Sequence, residues 1–151
     1  MIAAVIRAAT TDEAPAVTEV FLAARHAMKD IVPMVHGDDE TRVWMRDAVF
    51  REDTITIAIM DGRVAAMMAT KPGWIDHLYV HPDFHNRGLG TALVQTARHS
   101  PHAADGLQLW TFQTNTGARR FYVRHGFREV ELTDGQGNEE KTPDIRLEWR
   151  P

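Results

Sequence analysis

Gly88 and Gly90 stand one residue apart in HPDFHNRGLGTALV (81–94), immediately before a stretch with helical spacing. Glycine is a poor helix residue, so a pair placed there needs a reason. A strand that runs through a glycine-rich turn into a helix aims unpaired backbone N–H groups, and the positive end of the helix dipole, at one point. Such a point suits an anion. The segment lacks the Lys-Ser or Lys-Thr of the nucleotide-triphosphate loop and the third glycine of the dinucleotide fingerprint. By itself, the pair is explained equally well by a tight turn into the helix.

The other chemistry-bearing residue types narrow the field. His77, His81 and His85 are four apart, a spacing that makes a metal-binding face on a helix. Pro82 and the strand pattern before it break any helix there, so no metal site is expected. There is no cysteine, which removes disulfides, thiolate ligands and cysteine nucleophiles together. The single serine, Ser100, precedes Pro101 and is remote from the glycine loop, so covalent catalysis is not expected either. DGQGN (134–138) lacks the alternating acidic ligands of a calcium loop and reads as a turn.

These residues need elements to position them. IAAVIRA (2–8) reads as a strand, and Thr11 or Asp12 as the cap of a helix with Pro15 in its first turn and Ala14, Val17, Val20, Phe21, Ala24 and Met28 inward. After a break at IVPMVHGDD comes a second helix, 39–50, with Val43, Trp44 and Val49 inward. TITIAIM (54–60) alternates strictly, Asp61-Gly62 signals a hairpin, and RVAAMMAT returns as its partner. WIDHLYV (74–80), LQLWTF (107–112), Phe127–Leu132 and IRLEW read as further strands, with helices over 89–99 and 115–126. Gly126 would close the last helix as a left-handed cap. Hairpins precede helical crossovers, so the fold expected is α/β (α+β): a mixed, largely antiparallel six- to seven-stranded sheet flanked by about four helices.

At 151 residues the chain suits a single domain over 1–151. The formal net charge of −4 argues against nucleic acid as a partner, and the arginines at 119, 120, 124 and 128 read as a solvated helix face. The longest apolar run, VAAMMA (64–69), is too short for a membrane span, and the first residues lack a signal-peptide pattern. No membrane contact is expected, and the cytoplasm is the default location.

VHPDFHNRGLGTAL (80–93) and NTGARRFYVRHGF (115–127) together resemble the two acetyl-CoA motifs of the GNAT superfamily of N-acetyltransferases. The first follows Val-x-Pro, then Gln or Arg, two residues, Gly, one residue, Gly or Ala. The second follows Asn-x-x-Ala-x-x-Phe-Tyr-x-x-x-Gly-Phe. The order of elements over nearly the whole chain fits that fold as well. One departure is His85, where the family usually carries Gln or Arg. The resemblance implies that acetyl-CoA is the co-substrate, its pyrophosphate held by the backbone of His85, Asn86, Arg87, Gly88, Leu89, Gly90 and Thr91. It implies that the pantetheine arm pairs with Leu78, Tyr79 and Val80, where the strand splays from its neighbour, and that Asn115, Ala118 and Phe121 flank the arm. A plain helix cap explains Asn115 equally well.

The same resemblance places Tyr122 near the sulfur, where a phenol of pKa about 10 could donate to a thiolate of pKa about 8.5. A packed core tyrosine is the competing explanation. A backbone N–H around Leu78 to Val80 would hold the thioester oxygen. For the base, alternation puts Asp76 on the face of Leu78 and Val80 and His77 on that of Tyr79. Asp76 acting through water is the first choice and His77 the second.

The resemblance also implies that the segments Met34–Glu40 and Asn138–Asp144 flank the acceptor cleft. Their acidic content, with His36, Glu40, Glu139 and Glu140 as the candidate substrate-binding residues, suits a cationic amine, although solvated loops also collect carboxylates. The function expected is direct transfer of acetyl from acetyl-CoA to an amine, a small molecule before a protein, in a ternary complex. The alternative is a non-catalytic acyl-CoA-binding sensor or assembly module. A homodimer is expected through the last strands, with Trp149 as the residue to hide, although Trp149 could equally belong to the core.

Overall fold

The computed structural model describes residues 4–151. A seven-stranded sheet runs in the order β1-β2-β3-β4-β5-β7-β6. It comprises β1 (Val5–Ala8), β2 (Thr54–Met60), β3 (Arg63–Lys71), β4 (Trp74–Val80), β5 (Leu107–Phe112), β6 (Arg128–Leu132) and β7 (Asp144–Trp149). All neighbours are antiparallel except β4 and β5. The start of the first expected strand, residues 2 and 3, lies outside the described residues.

The β2–β3 turn shows why the hairpin forms where the sequence signals it. Asp61 and Gly62 both have positive φ, 54° and 71°, as a two-residue turn matched to strand twist requires. From Ala65 to Thr70 every residue of β3 is buried, so this strand is covered on both faces. On one face, α1 (Ala14–Ala27) and the helical run after it bury Val17, Val20, Phe21, Met45 and Val49 against Ile55, Ile57 and Met67. On the other, α4 (Leu89–Arg98) buries Leu93, Val94 and Ala97 against Ala58, Ala66 and Met68. The sheet is thus sandwiched, and its open end carries the loops.

Two local expectations are corrected. Thr10 caps the 3₁₀ turn Thr11–Glu13 that leads into α1, and Glu13 stands at the N-cap of α1 itself, so neither Thr11 nor Asp12 is the cap. The Thr10 backbone N–H donates to Glu13 across that turn (2.9 Å), and Arg7 grips the same carboxylate at 2.7 and 2.8 Å. That guanidinium holds the Glu13 carboxyl down at about 2. The second helix is α2 (Asp38–Trp44), a π-helical stretch Met45–Val49 and a final turn α3 (Phe50–Glu52), continuous with one another. The extra residue of the π stretch rotates the sequence about the axis. Met45 and Val49 are buried, whereas Val43 is 49% exposed and Trp44 39%.

Of the two readings of Trp149, the core one holds: it is half-buried against the core, with the Arg98 guanidinium 5.5 Å from its ring centre. β7 lies between β5 and β6, so the last strand has no open edge for a partner.

Candidate active site

β4 and β5 run parallel but share one paired position, Trp74 with Gln108, supported by the Gln108 N–H to Gly73 O bond of 2.8 Å. β5 and β7, by contrast, pair over all six residues of each strand. Beyond Trp74 the two strands therefore diverge, and their facing backbones open a cleft of about 810 Å³. α5 (Thr116–Arg124) lines the β5 side, and the start of α4 lines the β4 side.

At the mouth of the cleft the glycine loop leads into α4. Asn86 and Gly88 both have positive φ, 63° and 79°. No side chain caps the helix, and the first backbone bond into the preceding loop is from Ala92 N–H to Gly88 O. The N–H groups ahead of Ala92 are left to point outward, as an anion site needs. The two glycines have different reasons to be glycine. Gly88 is left-handed with open space around it, whereas a Cβ on Gly90 would sit 3.1 Å from Phe121 Cζ. Gly90 thus lets α5 close on α4, so a bulkier residue there disturbs packing and does not act on the anion site alone. Thr91 Oγ1 lies 2.9 Å from His125 Nε2, fixing the same junction.

Every residue expected to hold the coenzyme borders this cleft except Arg87. The Arg87 guanidinium leans over Phe84 (5.7 Å) and lies 3.8 Å from Asp61, which turns its charge away from the cleft. His85, the departure from the family pattern, sets Nε2 3.2 Å from the Val80 carbonyl. Asn115 caps α5, its side-chain oxygen accepting from Ala118 N–H at 3.1 Å, and borders the cleft as well. The histidines at 77, 81 and 85 have separate partners: His77 joins an aromatic cluster, and His81 Nδ1 accepts from Asp83 N–H.

Tyr122 is buried on α5 with its ring edge-on to Phe121 (5.1 Å) and Phe127 (5.4 Å), and it lines the cleft. Burial, with Tyr79 nearby, pushes its phenol up and keeps it protonated. Asp76 does not follow the expected alternation. Ala69 pairs with His77 and Thr70 with Ile75, so Asp76 is the extra residue of a β-bulge. Its carboxylate is 3.2 Å from Lys71 Nζ and meets the carboxyl of Asp53. Burial and this neighbouring carboxylate raise Asp53 to about 7. Asp53 carries no motif in the sequence; it lies 23 residues from Asp76 and reaches it only across the sheet.

His77 and Tyr79 separate the cleft from a second cavity of about 400 Å³ and line both. Enclosure among Phe21 (5.6 Å), Trp44 (5.3 Å) and Tyr79 lowers the His77 pKa to about 4 and leaves the imidazole neutral. The candidate substrate-binding residues His36, Glu40, Glu139 and Glu140 all border this second cavity. His36 joins its two sides: Nδ1 is 2.7 Å from Glu40 and Nε2 is 2.9 Å from Glu139, 103 positions away. Both carboxylates raise the His36 pKa, Glu139 more. Sequence reasoning passed over Arg25, which also lines this cavity. Its signal was position, one turn beyond the inward Phe21 on the same helix.

Residues 46–129, more than half of the chain, match the acetyltransferase (GNAT) domain, and the chain belongs to that family. An uncharacterized N-acetyltransferase of Methanocaldococcus jannaschii is 31% identical over 97 residues, which are 56% of this chain and 43% of that protein. The match therefore spans less than half the length of that relative. Among solved structures, a GCN5-related N-acetyltransferase of Rhodopseudomonas palustris has a TM-score of 0.80 at 19% identity, covering 100% of this chain and 98% of that one. A Bacillus anthracis structure in complex with acetyl coenzyme A has a TM-score of 0.60 at 19% identity, covering 66% and 63%. Both likenesses are of fold.

Proposed function

We propose that the protein transfers the acetyl group of acetyl-CoA directly to an amine, a small molecule, with both substrates bound together. The observation that carries this reading is the junction of two cavities at His77 and Tyr79. One is a cleft between splayed strands with uncapped N–H groups at its mouth; the other has an acidic, partly aromatic lining. The first suits an extended pantetheine arm ending in a pyrophosphate, and acetyl-CoA in the Bacillus anthracis relative of the same fold supports that choice. The second suits an amine that must meet the thioester at the seam.

In this scheme a C–N bond forms, the C–S bond breaks, and one proton leaves the amine. A backbone N–H of Leu78 to Val80 holds the oxygen that gains charge. Tyr122 donates a hydrogen bond to the departing sulfur. With its pKa raised, the phenol acts by donation more than by full proton release. The amine proton passes through water to Asp76, which meets the carboxyl of Asp53, raised to about 7. His77, neutral at the seam, orients that water. The test measures acetyl-CoA binding by calorimetry and free-thiol release across an amine panel. Binding with amine-dependent thiol release is the expected result. Binding without release from any amine supports the acyl-CoA sensor instead, and no binding removes the coenzyme assignment.

Within the described residues no helix is long and apolar enough to cross a membrane. With Trp149 packed and β7 interior, a homodimer through the last strands would use β6, which forms the edge of the sheet.

A further inference from the structure

Arg25 is a cation of the second cavity with no carboxylate partner among the described residues. Its Nε is buried without a hydrogen-bond partner there, Nη2 donates to the Pro33 carbonyl at 3.2 Å, and the guanidinium also hydrogen-bonds the Tyr79 hydroxyl. The other charges of the cavity are arranged differently. Glu40 and Glu139 are both engaged by His36, while Glu140 forms no ion pair with Arg25. Arg25 and Glu140 nonetheless both act on the Tyr79 hydroxyl, in opposite directions. A cation and an anion that do not pair with each other thus line the same cavity as the Tyr79 hydroxyl, at the seam with the coenzyme cleft. A half-buried guanidinium without a carboxylate partner is matched by a planar two-oxygen anion. A plain amine would leave that guanidinium unpaired, at a cost. Phe21, Trp44, Met34 and Val35 supply apolar wall around these charges.

We propose that the acceptor is an α-amino acid with an apolar or aromatic side chain, its carboxylate held by Arg25 and its amino group toward Glu140. The two charged groups of such a molecule share one carbon, which suits opposite charges that line one cavity without pairing. A polycationic acceptor offers nothing to Arg25 and is repelled by it. This inference rests on the reading of the second cavity as the acceptor site.

The experiment compares matched pairs by thiol release at saturating acetyl-CoA: phenylalanine with phenethylamine, tryptophan with tryptamine, leucine with isoamylamine. The amino acids should exceed their decarboxylated partners in kcat/KM by about 10-fold or more. Arg25→Met should lower kcat/KM for the amino acids by about 10- to 100-fold and leave the amines little changed, with Arg25→Lys restoring part of the loss. Equal rates within pairs, or equal losses in Arg25→Met, overturn the carboxylate site while acetyl transfer stands. Calorimetry with N-acetyl-L-phenylalanine and N-phenethylacetamide supplies a readout without turnover. The wild type should prefer the first and Arg25→Met should lose that preference; equal binding overturns the inference. A preference without turnover of any panel member supports the carboxylate site and counts against the transfer reading.

Discussion

Tyr122 carries two explanations, and its surroundings separate them by experiment. A hydroxyl needed only for packing would be bonded to a protein group, yet Tyr122 borders the coenzyme cleft, its ring packs edge-on to Phe121 and Phe127, and its hydroxyl makes no hydrogen bond among the described residues. Tyr122→Phe keeps the ring and removes the donor. We expect turnover to fall by about 10- to 1,000-fold with acetyl-CoA affinity nearly unchanged. Wild-type turnover, with a stability loss of about 1 to 3 kcal/mol, would instead mark a structural hydroxyl. Tyr122 was legible in sequence because it lies inside a motif whose spacing fixes a helix face. Asp76 was legible as a candidate but misplaced, since period-two alternation fails wherever a bulge inserts a residue. Asp53 and Arg25 carry no motif, and their roles arise from neighbours that only the folded sheet brings near.

At the scale of elements, the α4–α5 junction is where packing and ligand binding share one residue. Gly88→Val forces a branched side chain into a left-handed backbone, φ 79°, at the point where the N–H groups converge. Gly90→Val drives a side chain into Phe121, an overpacking that costs about 1 to 3 kcal/mol. Both variants should bind acetyl-CoA more weakly, but only the second should be relieved by shrinking the obstructing ring. We expect Gly90→Val/Phe121→Leu to regain stability over Gly90→Val in denaturant melts while affinity stays low. Full recovery of affinity would show that Gly90 serves packing alone. Strand bounds here were legible nearly to the residue, because 54–60, 74–80 and 107–112 are each closed by turn residues. The divergence of β4 from β5 was not legible in either strand alone, since it depends on where their single pairing falls. Here the family resemblance supplied what the local pattern lacked.

Over the whole molecule, His36 ties the segment after α1 to the β6–β7 loop, two stretches that meet only because β7 inserts beside β5. The loop is shaped from within: Asn138 donates to the Thr142 carbonyl and the Asp144 carboxylate, which helps present Glu139 and Glu140 to the cavity. The clasp across the cavity is titratable. Glu139 and Glu40 raise the His36 pKa above its ordinary 6.5, so the folded protein holds this proton more tightly than the unfolded chain. Its contribution to stability is complete below pH 6.5 and is lost as pH rises through the raised value. His36→Ala should therefore lower the melting temperature at pH 6, and the difference from wild type should shrink by pH 9. An imidazole titration followed by NMR should place His36 above 6.5, and Glu139→Gln should bring it down. A melting difference that is the same at both pH values would assign His36 a packing role. If the clasp also narrows the acceptor cavity, KM for the acceptor should change with pH in the wild type and lose that dependence in His36→Ala, while acetyl-CoA affinity, set on the far side of His77 and Tyr79, stays the same in both.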